Sequence, residues 1–322
     1  MKTKVLQLLR NHRDDYLSGE KISALLSCSR TMVWKYIDAL RKEGYEIEAI
    51  SNKGYKFIGE PDRLSEHEVL SRLDPDTFVQ KVVYEDLAES TQQLAHALVH
   101  AGAETGTVVI ANQQTSGRGR LGRNWYSPAN TGIWMSLILK PDMEIRKAPQ
   151  LTLVAAVAAA RAVRQVCGID ADIKWPNDLL LHNKKIAGIL TEMQAEMDQM
   201  KSVVIGIGMN VNEISFPSGV HEVATSLKKE TGKCFKRADI VVSILNEFQW
   251  LYDAYLTKGF PFIKPLWEAR AVTIGKEITA KTHKDTIVGT AEGIDDEGVL
   301  LIKDKAGHHH RIYSADIEAA ND

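Results

Sequence analysis

The first sixty residues carry three sets of apolar positions at helical spacing, followed by an alternating stretch. The three sets are Val5, Leu8 and Leu9, then Ile22, Leu25 and Leu26, then Val33, Ile37 and Leu40. They predict three short helices, the third with an N-cap at Ser29. The next stretch, GYEIEAISNKGYKF, alternates around a turn signal at residues 51–54 and predicts a hairpin. Three helices and a hairpin are the layout of a winged helix-turn-helix.

The pattern changes at residues 59–65, GEPDRLS, which predict a linker because they combine Gly, Pro and charge. Up to about residue 215, runs typical of strands alternate with runs typical of helices. The strand runs are 108–113, 133–139 and 203–207; the helical runs are 91–100 and 149–166, with Gly168 beyond the second. This alternation predicts an α/β or α+β domain with its own core.

A helical pattern over 238–256 precedes a last region of short strands and turns, which starts near residue 273. These strands predict a small β-barrel-like domain. We therefore expect an α+β multidomain protein whose domains cover residues 1–62, 63–272 and 273–322.

The charge of the chain is nearly balanced, with 40 Lys and Arg against 42 Asp and Glu. Such a chain is not a polycation built for nucleic acid, so any nucleic-acid site must be local. Residues 1–60 hold eleven Lys and Arg against eight Asp and Glu. The side chains expected to face DNA are Arg30, Thr31, Trp34 and Lys35 on the third helix, with Lys53 and Lys56 on the hairpin. The sequence favours a DNA reader that would act as a dimer on a two-fold operator; a winged helix used only for protein contacts is the alternative.

The cysteine and histidine patterns indicate neither a disulfide framework nor a metal site. Cys28, Cys167 and Cys234 are odd in number and far apart, which suits a reducing compartment. His308 to His310 are consecutive, so their side chains would point to opposite faces of a strand. No apolar run reaches the length of a membrane span, and we expect a cytoplasmic protein without membrane contact.

The stretch TSGRGRLGRNW, residues 115–125, places three glycines at the spacing G-x-G-x-x-G. A dinucleotide fingerprint would lead into a helix, whereas the next periodic run here is a strand, so that interpretation fails. A kinase loop also fails, because no D-F-G follows. What remains is a flexible backbone with Arg118, Arg120 and Arg123, whose planar cations suit carboxylate and phosphate. We expect this loop to be disordered when no anion is bound, and a solvated surface loop is the alternative.

Three further segments combine predicted strands with small or polar residues. In IKWPNDLLL, residues 173–181, a cation, an amide and a carboxylate follow a strand; they could hold triphosphate and magnesium, or form only a capped turn. In KKIAGIL, residues 184–190, Lys185 precedes small residues that permit close approach of a ligand, although a surface lysine has the same pattern. In VVIGIGMNVN, residues 203–212, two glycines leave room beside a buried strand, or simply allow tight packing.

Taken in order, ESTQQ at 89–93, QTSGRGRLGRNW, KWPNDLLL, KKIAGIL and GIGMNVN closely resemble the motifs of the bacterial biotin–protein ligases. The winged helix and the small C-terminal β domain extend the resemblance to the bifunctional type that also represses the biotin operon. This resemblance implies a class II synthetase-like catalytic domain with a mixed sheet and an SH3-like C-terminal domain. It further implies biotin, ATP and Mg²⁺ as ligands, the biotin carboxyl carrier protein of acetyl-CoA carboxylase as acceptor, and a homodimer on operator DNA.

The resemblance also implies roles for residues of this chain. Biotin would contact Ser90, Thr91, Gln92, Gln114, Arg118, Gly119, Arg120 and Lys185, and the nucleotide would contact Arg123, Trp125, Lys174, Asn177 and Asn210. Arg118, Arg120, Asp178 and Lys185 would carry the catalysis, with Asp178 also facing Mg²⁺. Two positions depart from the family pattern: Gln92, where asparagine is frequent, and Leu121, where a further arginine can occur.

The implied chemistry suits these residue types. A carboxylate such as that of biotin is a poor electrophile and repels the phosphates of ATP, so the site must neutralise both while biotinyl-5′-AMP forms. An ordered loop would then exclude water until a lysine of the carrier protein attacks. The alternatives are a ligase without DNA binding, an enzyme resembling lipoate or octanoate ligases, and a non-catalytic repressor that senses a small anion.

Overall fold

The computed structural model describes residues 1–196 and 199–319. They form two compact units, which we treat separately. The first unit contains Met1–Pro75 and Lys236–Val242, and the second contains Asp76–Phe235 and the chain from Ser243 onward.

The first unit has the predicted winged helix layout. Its elements are α1 (Lys2–Asn11), α2 (Gly19–Leu25), α3 (Arg30–Lys42), β1 (Glu46–Ile50), β2 (Gly54–Gly59) and α4 (Glu66–Leu70). Ser18 and Ser29 cap α2 and α3 by accepting a hydrogen bond from a backbone N–H of the first turn. The predicted hairpin is confirmed, since β1 and β2 pair antiparallel. The apolar positions read from the sequence pack into one core, which includes Val5, Ile22, Val33, Ile37 and Phe57.

The segment expected to be a linker remains part of the first unit. Ser65 caps the short helix α4, and the chain stays with this unit as far as Pro75. The structural division therefore differs from the boundary expected after residue 62. The helix α4 is five residues long, too short to show an apolar period in the sequence.

The second unit is built on a mixed sheet that has seven strands within the described residues. The strands are β3 (Lys81–Ala88), β4 (Thr107–Gln114), β5 (Gly132–Leu139), β6 (Asp172–Lys174), β7 (Asp178–Leu181), β8 (Lys184–Glu196) and β9 (Gln199–Asn210). Their order is β3-β4-β5-β9-β8-β7-β6. Only β3 and β4 pair in parallel, and the other neighbours are antiparallel.

The helices α5 (Thr91–His100) and α6 (Ala148–Cys167) pack on this sheet and bury its apolar residues. The described part of this unit also contains α7 (Leu227–Thr231), α8 (Arg237–Lys258), which enters the unit at Ser243, and α9 (Phe260–Glu268). The predicted end of α6 is confirmed, because Gly168 adopts the left-handed conformation of a C-cap with φ of 72°. The helix α5 packs on β4, β5 and β9, whereas α6 packs on β6 to β9.

The C-terminal region is an antiparallel sheet of short strands, as predicted. Its strands are β10 (Glu277–Lys281), β11 (Thr286–Ile294), β12 (Leu300–Asp304), β13 (His309–Ile312) and β14 (Asp316–Ala319), in the order β13-β12-β11-β10-β14. Within the described ranges, the helices lack the length and apolar character needed to cross a membrane.

Candidate active site

A cavity of about 630 Å³ lies in the second unit and collects the residues that the motifs singled out. All fourteen predicted biotin, nucleotide and metal positions line it: Ser90, Thr91, Gln92, Gln114, Arg118, Gly119, Arg120, Arg123, Trp125, Lys174, Asn177, Asp178, Lys185 and Asn210. The motifs are far apart in the sequence, but the sheet order brings them together. The roles expected for these residues remain predictions.

One end of the cavity is a network of uncharged polar groups. The N–H of Thr91, at the start of α5, donates to Gln114 Oε1 at 2.8 Å, and Gln114 Nε2 donates to Ser127 Oγ at 2.8 Å. The hydroxyl of Ser136 on β5 lies 3.0 Å from both Thr91 Oγ1 and Gln92 Oε1. The sequence motifs did not point to Ser136, because it sits within an apolar strand. This end can hydrogen-bond a small polar ring.

Glycines on two central strands leave space for side chains of the cavity wall. A Cβ at Gly206 would lie 2.6 Å from Gln92 Oε1, and a Cβ at Gly208 would lie 2.4 Å from Trp125 Nε1. Both separations are too short for a real contact, so a side chain at either position would displace Gln92 or Trp125. Trp125 Nε1 is buried and has no hydrogen-bond partner among the described residues. The glycines of GIGMNVN thus seat the tryptophan of the glycine-arginine loop.

A carboxylate and an ammonium group pair in the middle of the cavity. Lys185 Nζ lies 2.6 Å from Asp178 Oδ1, and it also lies 5.1 Å from the centre of the Trp125 ring. The sequence left open whether Lys185 is a surface lysine. In the structure its side chain lines the cavity and pairs with Asp178. A buried carboxylate beside cations is also the kind of oxygen ligand that Mg²⁺ accepts.

The KWPN turn contributes an amide whose orientation is set by the protein. Asn177 Nδ2 donates to the carbonyl of Ile189 at 2.8 Å, and its Oδ1 accepts from Arg120 Nη1 at 3.1 Å. The peptide between Trp175 and Pro176 is cis. Trp175 Nε1 donates to the carbonyl of Gly298 at 3.2 Å. The turn therefore holds both an amide and an arginine at the cavity wall.

The glycine-arginine loop has a defined conformation held by the C-terminal strands. Arg120 Nη2 donates to Ser314 Oγ at 2.8 Å, and Arg123 makes two hydrogen bonds to the carboxylate of Asp316. Leu121 adopts a left-handed conformation with φ of 56°. The expectation that this loop is disordered without a bound anion stays a prediction. Ser314 and Asp316 were missed by sequence reasoning, since they lie almost two hundred residues beyond the loop.

The pKa values of Arg120 in the loop and of Asp316 beside it are both lowered, for different reasons. Burial, the largest influence, lowers the pKa of the Arg120 guanidinium, while the carboxylates of Asp178 and Asp316 act against that shift. The hydrogen bond from Arg123 lowers the pKa of Asp316. The Asp316 carboxylate is therefore held in its ionised form.

A segment that the motifs did not include also lines the cavity. Between β9 and α7, the apolar side chains of Phe216, Val220, Val223 and Ala224 face it. Val223 is largely exposed on its other side. This irregular segment has no apolar period, so sequence patterns could not point to it.

In the first unit, the residues predicted to read DNA lie on an open face. Arg30, Thr31, Trp34 and Lys35 are exposed on α3, and Trp34 exposes 56% of its surface. Lys53 is exposed in the turn between β1 and β2, and its Nζ lies 5.9 Å from the ring centre of Tyr16. A large exposed aromatic beside cations suits binding more than core packing.

The three consecutive histidines pair with carboxylates. His308 and His310 contact Asp304, and His309 contacts Glu292. In the part of the chain that the structure describes, no group of three His, Cys, Asp or Glu could hold a metal ion.

The first unit is a winged helix, and the second holds a cavity with a polar end and several cations. This combination is typical of DNA-binding ligases that activate a small carboxylate. Models of three families match the chain: the biotin/lipoate A/B protein ligase family over residues 84–210, an HTH domain over 2–56, and the biotin protein ligase C terminal domain over 273–319.

Individual relatives cover nearly the whole chain. The bifunctional ligase/repressor BirA of Bacillus spizizenii is 49% identical over 99% of this chain and 98% of its own length, and that of Bacillus subtilis is 48% identical over the same shares. The solved structure of the biotin protein ligase from Aquifex aeolicus in complex with biotin and ATP matches with a TM-score of 0.65 and 28% identity, over 74% of this chain and 98% of its own. The chain belongs to the family of bifunctional biotin ligase/repressors.

Proposed function

We propose that the cavity activates biotin with ATP to form biotinyl-5′-AMP and then transfers the biotinyl group to a lysine of the biotin carboxyl carrier protein of acetyl-CoA carboxylase. The observation that carries this proposal is the Lys185 and Asp178 pair, which lies beside Arg120, Asn177 and Trp125 in one cavity. Cations, an amide and an aromatic face are the groups that a carboxylate and an adenine nucleotide require.

The polar end of the cavity suits the ureido ring of biotin. Ser90, Thr91 and Gln114 offer hydroxyl and amide groups that can donate to the ring carbonyl and accept from its two N–H groups. A dithiolane or alkyl chain offers these groups no hydrogen bond, so its binding gains none of that free energy. This end therefore favours biotin over lipoate or octanoate.

The cations of the cavity serve the first chemical step. Arg118, Arg120 and Lys185 offset the repulsion between the biotin carboxylate and the α-phosphate of ATP, so that one carboxylate oxygen can attack the phosphorus and pyrophosphate can leave. Asp178 and Asn177 supply oxygen atoms suited to Mg²⁺, which when bound would neutralise phosphate charge. The enzyme needs no nucleophile of its own, because the substrate carboxylate attacks.

The loop protects the product of that step. Arg120 and Arg123 are held by Ser314 and Asp316, and Trp125 packs against the glycines of β9. A loop in this position excludes water from a reactive mixed anhydride. The ε-amine of a carrier lysine then attacks the carbonyl carbon, and AMP leaves.

Biotin-dependent pyrophosphate exchange tests the enzymatic proposal. Purified protein with ATP and Mg²⁺ should exchange labelled pyrophosphate into ATP with biotin, and much less with lipoate or octanoate. The purified protein should also attach biotin to one lysine of a carrier domain. Exchange with lipoate but not with biotin would assign the cavity to the neighbouring substrate class, and no exchange with any of the three would refute the proposal.

We further propose that the first unit binds operator DNA as part of a homodimer whose formation depends on the adenylate. The exposed Trp34, Lys35 and Lys53 support this, because these side chains lie on the third helix and the hairpin turn, the parts of this motif that meet DNA. A half-site reader gains affinity by pairing on a two-fold site.

We also propose that the protein is cytoplasmic, because three free cysteines and a reaction that consumes ATP suit a reducing compartment.

A mobility-shift assay with the operator region of the biotin genes, with and without biotin plus ATP, tests the repressor proposal. Sedimentation of the same samples should show a dimer when the adenylate is present. A Trp34→Ala, Lys35→Ala variant should lose the shift and keep exchange activity. An unchanged shift in that variant would contradict the assignment of α3 as the reading helix.

A further inference from the structure

A buried junction outside the residues assigned so far holds two of them in place. Thr225 is fully buried in the segment between β9 and α7. Its N–H donates to the carbonyl of Lys185 at 2.9 Å, and its carbonyl accepts from Asn210 Nδ2 at 3.1 Å. The N–H of Lys185 donates to the carbonyl of Val223 at 2.8 Å. One short backbone segment thus contacts both the backbone of Lys185 and the side chain of Asn210.

The side chain of Thr225 is itself anchored by a carboxylate. Its hydroxyl donates to Glu230 Oε1 at 2.5 Å, and the second oxygen, Oε2, lies 2.5 Å from His182 Nδ1 in the turn between β7 and β8. The hydrogen bond from Thr225, followed by that from His182, lowers the pKa of Glu230. Hydrogen bonds to an ionised acceptor are roughly twice as strong as neutral ones, so this anchor is a firm one.

The start of α7 brings Glu230 back toward Thr225. Ser226 caps the helix by accepting from the N–H of Lys229 at 3.0 Å, and the N–H of Glu230 donates to the carbonyl of Ser226 at 3.1 Å. One helical turn therefore separates the cap from the carboxylate, which places Glu230 beside the residue that precedes the cap. Neither Thr225 nor Glu230 is among the described residues that line the cavity.

We propose that Thr225 and Glu230 are positioning residues for the nucleotide side of the cavity, acting through Asn210 and Lys185. This proposal rests on the proposed adenylation function, within which it names a further requirement of the same site. The hydroxyl–carboxylate bond holds the 223–225 segment against β8 and the end of β9. Without that bond, the backbone segment that contacts Asn210 and Lys185 is held less firmly, so it orients both residues less well.

Substitutions at the two residues test this in the full chain. Thr225→Val removes the donor and keeps the shape, and Glu230→Ala removes the acceptor. Each should raise KM for ATP in biotin-dependent exchange by about tenfold, the effect of one hydrogen bond to a charged group. The Kd of biotin without ATP should change by less than about threefold, because Lys185 alone among the expected biotin contacts is bonded to this segment, whereas Thr91 and Gln114 hold each other. Thr225→Ser should keep the KM of the parent.

A double variant and a matched control separate positioning from general stability. Thr225→Val combined with Glu230→Ala should raise KM for ATP no further than Glu230→Ala alone, since both changes break the same bond between the two side chains. Glu247→Ala is the control: Glu247 has the same exposed fraction as Glu230, 18%, and pairs with Arg161 at 2.5 Å outside the cavity lining. It should leave both constants unchanged.

The outcomes distinguish this proposal from the function on which it rests. A parent protein without biotin-dependent exchange would refute the function and this proposal together. An active parent whose two variants keep the KM for ATP, or change the constants for ATP and biotin equally while their melting temperature falls, would refute the positioning role alone.

Discussion

Two clusters of charged side chains, one in each compact unit, differ in how their charges are balanced. In the first unit, the guanidinium groups of Arg10 and Arg72 meet the carboxylates of Glu60 and Glu68, and all four side chains are mostly buried. Arg10 Nη2 lies 2.6 Å from Glu60 and 2.7 Å from Glu68, and Arg72 contacts the same two residues. Each cation therefore has its countercharge inside the unit.

The cavity of the second unit has no such balance. Among the described residues that line it, Arg118, Arg120, Arg123, Lys174 and Lys185 face only three carboxylates, those of Asp178, Asp316 and Glu318. A buried cluster with matched charges orders its own surroundings, whereas an excess of cations in a cavity attracts an anion. Charge balance thus separates a structural cluster from a binding site more clearly than burial does.

The largest expected effect is on the balanced cluster. Glu68→Ala would leave Arg10 and Arg72 with a single buried carboxylate between them and should destabilise the first unit by about 3–5 kcal/mol. Hydrogen exchange of the α1 and α3 amides measures this loss. Asp38→Ala is the control, because its pair with Lys42 is exposed and should contribute less than about 1 kcal/mol. A loss as small as that of the control would remove the distinction between the clusters.

The next effect concerns the cation excess. Lys185→Ala should lower kcat/KM for biotin-dependent exchange by about 10²–10³, because a charge that stabilises the reacting groups is lost. Lys184→Ala, one residue earlier, should have little effect on exchange. The urea midpoint of both variants should stay close to that of the parent. A change of less than about threefold in Lys185→Ala would show that the cation is dispensable.

A smaller effect is expected at Asp316, a carboxylate of the C-terminal sheet that lines the cavity. Asp316→Ala frees Arg123 and should speed the escape of the adenylate from the loop by about tenfold, measured as release of biotinyl-5′-AMP in single-turnover experiments. Glu277→Ala is the control, because Glu277 on the same sheet pairs with Lys305 and lies outside the cavity lining. Since Arg123 lowers the pKa of Asp316, the bond is present at neutral pH and is lost as the pH falls through that lowered pKa. Equal release from both variants would contradict the role of Asp316.

A further expected effect is a pH dependence of the balanced cluster. Burial acts to raise the pKa of Glu60, but the hydrogen bond from Lys236 and the charges of Arg72 and Arg10 lower it from 4.5 to about 2. Its stabilising contribution is therefore complete above about pH 4.5 and is lost as the pH falls toward 2. Glu60→Gln should lower the urea midpoint near neutral pH and flatten its fall in acid. Parallel curves for the parent and the variant would contradict this assignment.

The sequence predicted the elements whose signal is local. The third helix with its Ser29 cap, the hairpin around residues 51–54, and α6 with Gly168 at its end all lie where the periodicity and the turn residues place them. The short helix α4 escaped, because its five residues are too few to show an apolar period. The segment at residues 211–226 was missed because it is irregular.

Some residues of the candidate site also stood in recognisable local motifs, whereas others did not. Contiguous motifs such as KWPND and KKIAG contained Asp178 and Lys185 but left their roles open, and the family resemblance then predicted those roles. Ser136 and Asp316 could not be found, because a serine in an apolar strand and an aspartate near the chain end look ordinary in sequence.

The sequence by itself determined the local elements and, by resemblance, the family, and it predicted a binding chemistry for each motif. Only the tertiary structure decided which groups meet: Arg123 with Asp316, 193 residues apart, Ser136 with Thr91, and Glu68 with two arginines. The physical reason is that periodicity and capping act within a few residues, whereas contacts between distant residues depend on strand order and packing. The balance of charge that separates the two clusters is therefore a property of the folded chain.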